Sequence, residues 1–215
     1  FWDGRSEGLA HQALQPITNP IEMGMSSLDE AISKLNNIPE YKSEFQRIYG
    51  SAINAEFLGD AIAEFEKTLN TPNSPFDRYL AGDKSALNGE QKRGYKLFKA
   101  YGCVACHQGK NVGGNMYQKF GVLKDINLYP GDLSKDLGRF NVTGNEWDKR
   151  AFKVPSLRLA VLTAPYFHDG SVASINEAVD IMIKFQLGRD VPKNDKNAII
   201  AFLGSLVGEF PQGVK

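Results

Sequence analysis

Sulfur and imidazole are scarce here: 215 residues hold two cysteines, four methionines and three histidines. Two thiols cannot build a disulfide framework. A four-ligand zinc site is also excluded, because His11 and His168 stand far from the cysteines and from each other. Charge of one sign is lacking too: Lys plus Arg and Asp plus Glu each total 25, so no global field draws the chain to nucleic acid or to an anionic membrane. Any charged docking surface must be local. No apolar run approaches the length of a membrane span, no signal-peptide pattern is present, and neither an internal repeat nor an alternating strand is legible. Hydrophobic residues make up 42% of the chain and aromatics 11%, enough for the core of one large or two small domains.

Both cysteines fall in one stretch, Cys103-Val104-Ala105-Cys106-His107. Two thiols three apart with an adjacent imidazole are what covalent attachment of a c-type haem requires: the thiols add across the vinyl groups and the histidine stays under the iron. A thioredoxin-like motif needs a strand before it, whereas Asn88 to Tyr101 reads as a helix ending at Gly102. A disulfide between the pair would leave the histidine without a reason. One haem c is therefore expected, and Cys103, Cys106 and His107 hold it. Haem c is attached outside the bacterial cytoplasm, so an exported protein is implied. A chain that opens on Phe1 inside a dense motif reads as a cut piece of a longer one.

Helical signals run along the rest of the chain. Ser27-Leu28-Asp29-Glu30 is a capping box, and Leu28, Ile32 and Leu35 predict a helix over about Asp29 to Asn37, stopped by Pro39. Tyr41, Phe45 and Ile48 give a second stripe closed by Gly50, and Leu58, Ile62, Phe65 and Leu69 a third closed near Thr71-Pro72. Asn70 to Asn88, with two prolines and Gly82, is the best domain boundary. Asn88 caps a helix carrying Leu97, Phe98 and Tyr101, in which Gly94 permits close approach of another backbone. From Gln108 to Arg150 eight glycines or prolines predict a loop around the haem edge. Ser174 to Glu177 is a second capping box, opening a helix with Ile175, Val179 and Met182 on one stripe. Ala198, Ile199, Phe202, Leu203 and Leu206 make a terminal helix after Pro192, ended by Gly208. The architecture reads as all-α.

A haem with one histidine leaves a sixth position, and whether protein fills it separates electron transfer from chemistry on a small ligand. Met182, on a capped helix well beyond the motif, is the favoured ligand. Met116 and His168 are alternatives, as is an open site. The ordinary reading of Met182 is a core methionine, and of His168 a hydrogen-bonding residue near a propionate or a turn. Gly109 to Gly114 lacks both the spacing and the leading strand of a phosphate-binding loop. Lys96, Lys99, Lys110 and Lys119 flank the motif as a docking rim for a redox partner or as a solvated face.

Phe1-Trp2-Asp3-Gly4-Arg5, Gln12, Pro16, Asn19-Pro20-Ile21-Glu22-Met23, the Cys103 to His107 motif and Pro165-Tyr166-Phe167-His168-Asp169-Gly170, in this order and spacing, resemble the bacterial di-haem cytochrome c peroxidases. The resemblance runs over nearly the whole chain. It implies a cytochrome c-like haem domain over 81–215, preceded over 1–80 by the helical portion of the peroxidatic domain and the inter-haem segment. It also implies a periplasmic homodimer that reduces hydrogen peroxide with electrons from a small c-type cytochrome or a copper protein. By position, Cys103, Cys106, His107 and Met182 correspond to the family's electron-storing haem. Trp2 matches a tryptophan between the haems, and Gln12 and Glu22 match residues beside the peroxide site, Glu22 as acid/base. Thr163 and Pro165 match positions whose backbone carbonyls hold a calcium ion.

The departure is that no second Cys-x-x-Cys-His occurs. The family's first haem, its displaceable histidine and a further calcium ligand are expected before Phe1. Two other readings stand beside the first: a one-haem electron carrier without peroxidase activity, and the related maturation enzyme that oxidises tryptophan side chains. The latter places a tyrosine where this chain has Met182.

Overall fold

Capping chemistry decides where the helices begin. In this computed structural model, which describes residues 1–126 and 135–213, Ser27, Asn54, Ser74, Asn88 and Ser174 each accept a backbone N–H in the first turn of the helix that follows. Residues 127–134 of the predicted haem-edge loop lie outside the described residues. The chain divides into two compact units, Phe1 with Arg5–Asn70, and Trp2–Gly4 with Thr71–Lys215. That division falls at the start of the predicted linker, ahead of residue 80.

The first unit holds α1 (Leu9–Thr18), α2 (Leu28–Asn36), α3 (Pro39–Tyr49) and α4 (Ala55–Thr68). Ile17, Ala31, Ile53 and Leu58 form its buried core, with Leu14, Leu28, Ile32, Phe45 and Ile62 packed against them. Glu30 does not close a capping box on Ser27; its carboxylate instead accepts from the Ser26 hydroxyl at 2.6 Å. Pro39, read from sequence as a stop, occupies the first turn of α3, where its missing N–H costs nothing and its fixed φ suits the helix. Gly50 ends α3 in the left-handed conformation, as its position predicts. α1 was not legible, because its cap, Gly8, offers no side chain and Pro16 interrupts its last turn.

The second unit holds α5 (Pro75–Leu80), α6 (Gly89–Ala100), α7 (Phe140–Thr143), α8 (Ile175–Ile181) and α9 (Lys193–Gly204). The expected absence of strands is corrected by a short antiparallel ribbon, β1 (Tyr117–Lys119) paired with β2 (Ala151–Lys153). Three-residue strands are too short to show an alternation that sequence could reveal. α6 and α9 cross at Gly94, where a Cβ would stand 1.8 Å from the Ala198 carbonyl oxygen. The close approach expected of Gly94 is thus used to seat Phe98 against Phe202, ring centroids 5.2 Å apart. We expect Gly94→Val to cost about 3 kcal/mol, at the upper end for overpacking, read as a lowered urea midpoint at unchanged slope.

Two apolar clusters organise this unit. Phe76, Leu87, Phe98, Val112, Ile199, Phe202, Leu203 and Leu206 form the first, and Phe120, Ile126, Phe152, Val172, Ala178, Ile181 and Phe185 the second. α8 serves both, giving Ile175 and Val179 to the first and Ala178 and Ile181 to the second. Among the described residues no helix is long and apolar enough to cross a membrane.

Candidate haem centre

α6 delivers its chain directly into the cysteine motif. Gly102 turns left-handed after the helix, and Cys103–Ala105 form one 3-10 turn in which the Cys103 carbonyl accepts from Cys106 N–H at 3.3 Å and His107 N–H at 3.0 Å. This fold of the backbone gathers both sulfurs and the imidazole onto one turn. Both thiols are free. Cys103 packs against the first cluster, and burial pushes its thiol up to about 11. Burial likewise pushes the His107 pKa down, against a smaller upward pull from the Val112 and Pro155 backbone, and keeps the ring in the neutral form that binds metal.

The surroundings of His107 are built around a glycine. A Cβ on Gly113 would stand 2.0 Å from the Pro155 carbonyl oxygen and 3.3 Å from His107 Nδ1, so only glycine lets that carbonyl reach the ring's flank. Nδ1 is buried and makes no hydrogen bond of good geometry, although the Val112 and Pro155 backbone lies close enough to act on it. The Pro155 segment is laced to the loop after the motif. Gly114 N–H donates to the Val154 carbonyl at 2.7 Å, the Ser156 hydroxyl to the Asn111 carbonyl at 2.8 Å, and Arg158 Nε to the Lys110 carbonyl at 2.8 Å. The Arg158 fork then grips Asp77 at 2.7 and 3.0 Å.

Arg158 holds the Asp77 carboxyl below the usual carboxylate range, helped by the Ser74 cap. A depressed folded-state value means that this contribution is complete above the unfolded carboxyl value near pH 4 and is lost as pH falls through the folded one. We expect Asp77→Asn to cost about 2 kcal/mol at pH 7 and progressively less below pH 4, measured by urea denaturation across that range.

Met182 follows directly on the last residue of α8. It packs, half-buried, against the second cluster together with Trp2, Tyr166 and Phe167. α8 does not run on through it: from Met182 to Gln186 the helix widens into a π turn, closed by Leu187 N–H on the Met182 carbonyl at 3.2 Å. Such turns recur at functional positions. His168, the alternative ligand, stacks on Phe152 with centroids 4.1 Å apart, and its Nε2 faces Asp136 at 3.7 Å. Met116 uses its carbonyl to accept from Val154 N–H.

Two free thiols on one turn, a neutral imidazole and a cradle that a Cβ would fill are a donor set that fits a c-type haem. Among the described residues, no group of three or more His, Cys, Asp or Glu side chains converges on a competing metal site.

The other sequence-derived residues are spread over both units. Gln12 sits within α1, and Glu22 lies exposed on a turn pinned back to that helix, with Met23 N–H on the Pro16 carbonyl and Met25 N–H on that of Ile17. Ile21 and Met23, 90% and 65% exposed, flank the carboxylate. Trp2 belongs to the second unit, its carbonyl accepting from Lys153 N–H of β2 at 2.7 Å. Thr163 and Pro165 are exposed, in a segment tied by Tyr166 N–H on the Val172 carbonyl. Sequence reasoning missed Pro155 and Arg158, and it read Gly113 only as part of a rejected phosphate loop.

A family model described as Di-haem cytochrome c peroxidase matches residues 1–85. Cytochrome c peroxidase Ccp of Escherichia coli is 48% identical over 98% of this chain and 45% of its own length. Cytochrome c551 peroxidase of Nitrosomonas europaea is 46% identical over 98% of this chain and 62% of its own. Over nearly its whole length the chain is similar to the di-haem cytochrome c peroxidases. It spans 45% and 62% of these two curated relatives. A crystallised MauG-like protein associated with microbial copper homeostasis superimposes with a TM-score of 0.77 at 26% identity, over 94% of this chain and 69% of that one. The helical, cytochrome c-like fold and the haem c expected from the cysteine motif are those of this family.

Proposed function

We propose that this chain carries the His/Met electron-storing haem of a periplasmic cytochrome c peroxidase that reduces hydrogen peroxide to water. The observation that carries this reading is the Cys103–His107 turn, with its buried neutral imidazole, in the same unit as a methionine at the head of a π turn. When bound, the haem supplies a one-electron store between an external donor and the peroxide site. Cys103 and Cys106 would anchor it, and His107 and Met182 would be the side chains that ligate its iron. The Gly113–Pro155 contact orients the imidazole, and the Arg158–Asp77 fork holds that contact in place. The donor is a small c-type cytochrome or a cupredoxin, and the enzyme works as a homodimer.

Peroxide reduction consumes two electrons and two protons per molecule and releases two waters. Glu22 moves the proton at its carboxylate, Gln12 orients the peroxide, and Trp2 lies on the electron path. The chain itself contains one haem motif, so the peroxide-binding haem is held by residues other than these. Calcium would sit on the Thr163 and Pro165 carbonyls, oxygen ligands of the kind a hard cation takes.

Thioether ligation raises a haem's potential relative to bis-histidine ligation. We expect Met182→His to lower the midpoint by on the order of 0.2 V, a fraction of the range that axial ligands span. A redox titration of the purified protein checks this, and an unchanged midpoint removes Met182 from the iron. Steady-state peroxide turnover, measured with the family's other haem segment present, separates the peroxidase from a one-haem carrier, which shows none.

A further inference from the structure

The π turn that begins at Met182 is held from outside the helix by the Gln186 side chain and the Phe185 carbonyl. Gln186 closes that turn, and its amide is engaged at both ends. Oε1 accepts from the Gly121 and Val122 N–H groups, and Nε2 donates to the Lys119 carbonyl at 3.0 Å. The neighbouring Phe185 carbonyl accepts from Leu123 and Lys124 N–H at 3.1 Å each. Five hydrogen bonds therefore zip residues 119–124 to the turn, and three of them pass through the Gln186 amide. A π turn adds a residue to the helix and forgoes the ordinary ladder, so a turn of this kind needs compensating partners. Here loop 119–124 supplies them.

The clamp also has a rigid base. Lys119 ends β1, which pairs with Ala151 to Lys153 of β2. The second cluster packs beneath, through Phe120, Phe152 and Phe185. The π turn is thus fastened to a strand ribbon and a buried aromatic core, not to a free loop.

We propose that Gln186 is a positioning residue: by clamping the π turn to loop 119–122 it fixes the Met182 thioether toward the haem iron and so sets the strength of that bond. This deepens the reading of Met182 as an iron ligand and rests on it. The geometry makes the amide specifically necessary, because the site needs one acceptor for two N–H groups and one donor for a carbonyl. Leucine satisfies none of the three bonds, and glutamate satisfies the two that need an acceptor.

The test compares wild type, Gln186→Leu, Gln186→Glu and Met182→Ala as haem-loaded protein. Its readouts are the far-red sulfur-to-iron absorption of the oxidised form and the midpoint potential. We expect that band to be lost in Met182→Ala, reduced at least twofold in Gln186→Leu, and intermediate in Gln186→Glu, with the midpoint falling in the same order. Faster amide exchange at Gly121 and Val122 should accompany Gln186→Leu. If Met182→Ala abolishes the band while both Gln186 variants keep the wild-type band and midpoint, the positioning role is overturned and the ligand reading stands. If Met182→Ala leaves the band untouched, the ligand reading itself has failed. Should Gln186→Leu not fold, Gln186→Glu decides by the same two readouts.

Discussion

Replacing Cys103 and Cys106 together by serine should yield a colourless protein that melts well below the parent. The two sulfurs stand on a single 3-10 turn beside His107, and no other cysteine exists to substitute for them. Their loss removes every covalent bond to the haem. A haem bound at this turn would add its binding free energy to the folded state, and that contribution is lost with it. We expect a loss of roughly 2–5 kcal/mol, comparable with removing a native cross-link. A denaturing gel stained for haem and a thermal melt measure the two effects separately. Either single serine variant keeps one thioether and should retain colour.

Glu22→Gln should slow peroxide turnover by roughly 10²–10⁴-fold, the span general acid–base catalysis contributes, in a protein that pairs this sequence with the family's other haem segment. The change keeps the side chain's size and removes its ability to exchange a proton. Structure gives a reason to expect little else to move: the turn carrying Glu22 is held by backbone bonds to Pro16, Ile17 and Asn19, and the carboxylate itself is exposed. Stability should stay within about 0.5 kcal/mol of the parent. Steady-state kinetics beside a urea titration checks both halves, and turnover retained in full would remove Glu22 from the chemistry.

Local chemistry was legible in the sequence, and tertiary chemistry was not. The cysteine motif, the Asn88 cap and the left-handed Gly50 each act within a few residues, so composition and spacing reveal them. Gly94 was readable because a glycine amid helix formers is hard to explain except by a close neighbour. α1 escaped notice because its apolar spacing at Leu9, Ala13 and Ile17 carries a proline inside it. The ribbon β1–β2 escaped because it joins segments thirty or so residues apart and is too short to have a period. Gln186 and Arg158 look like ordinary surface residues until the fold brings Gly121 and Asp77 to them. The Gly113 requirement arises from a carbonyl more than forty residues downstream, which no local pattern announces. The half-box at Glu30 shows the converse: a sequence signature can be satisfied in part, with Ser26 taking the bond assigned to Ser27.

The central proposal is that His107 and Met182 would both ligate one haem iron. The oxidised protein's far-red absorption tests this most directly. A sulfur-to-iron band present in the wild type and absent from Met182→Ala is the result this account predicts; a wild-type spectrum without that band contradicts it.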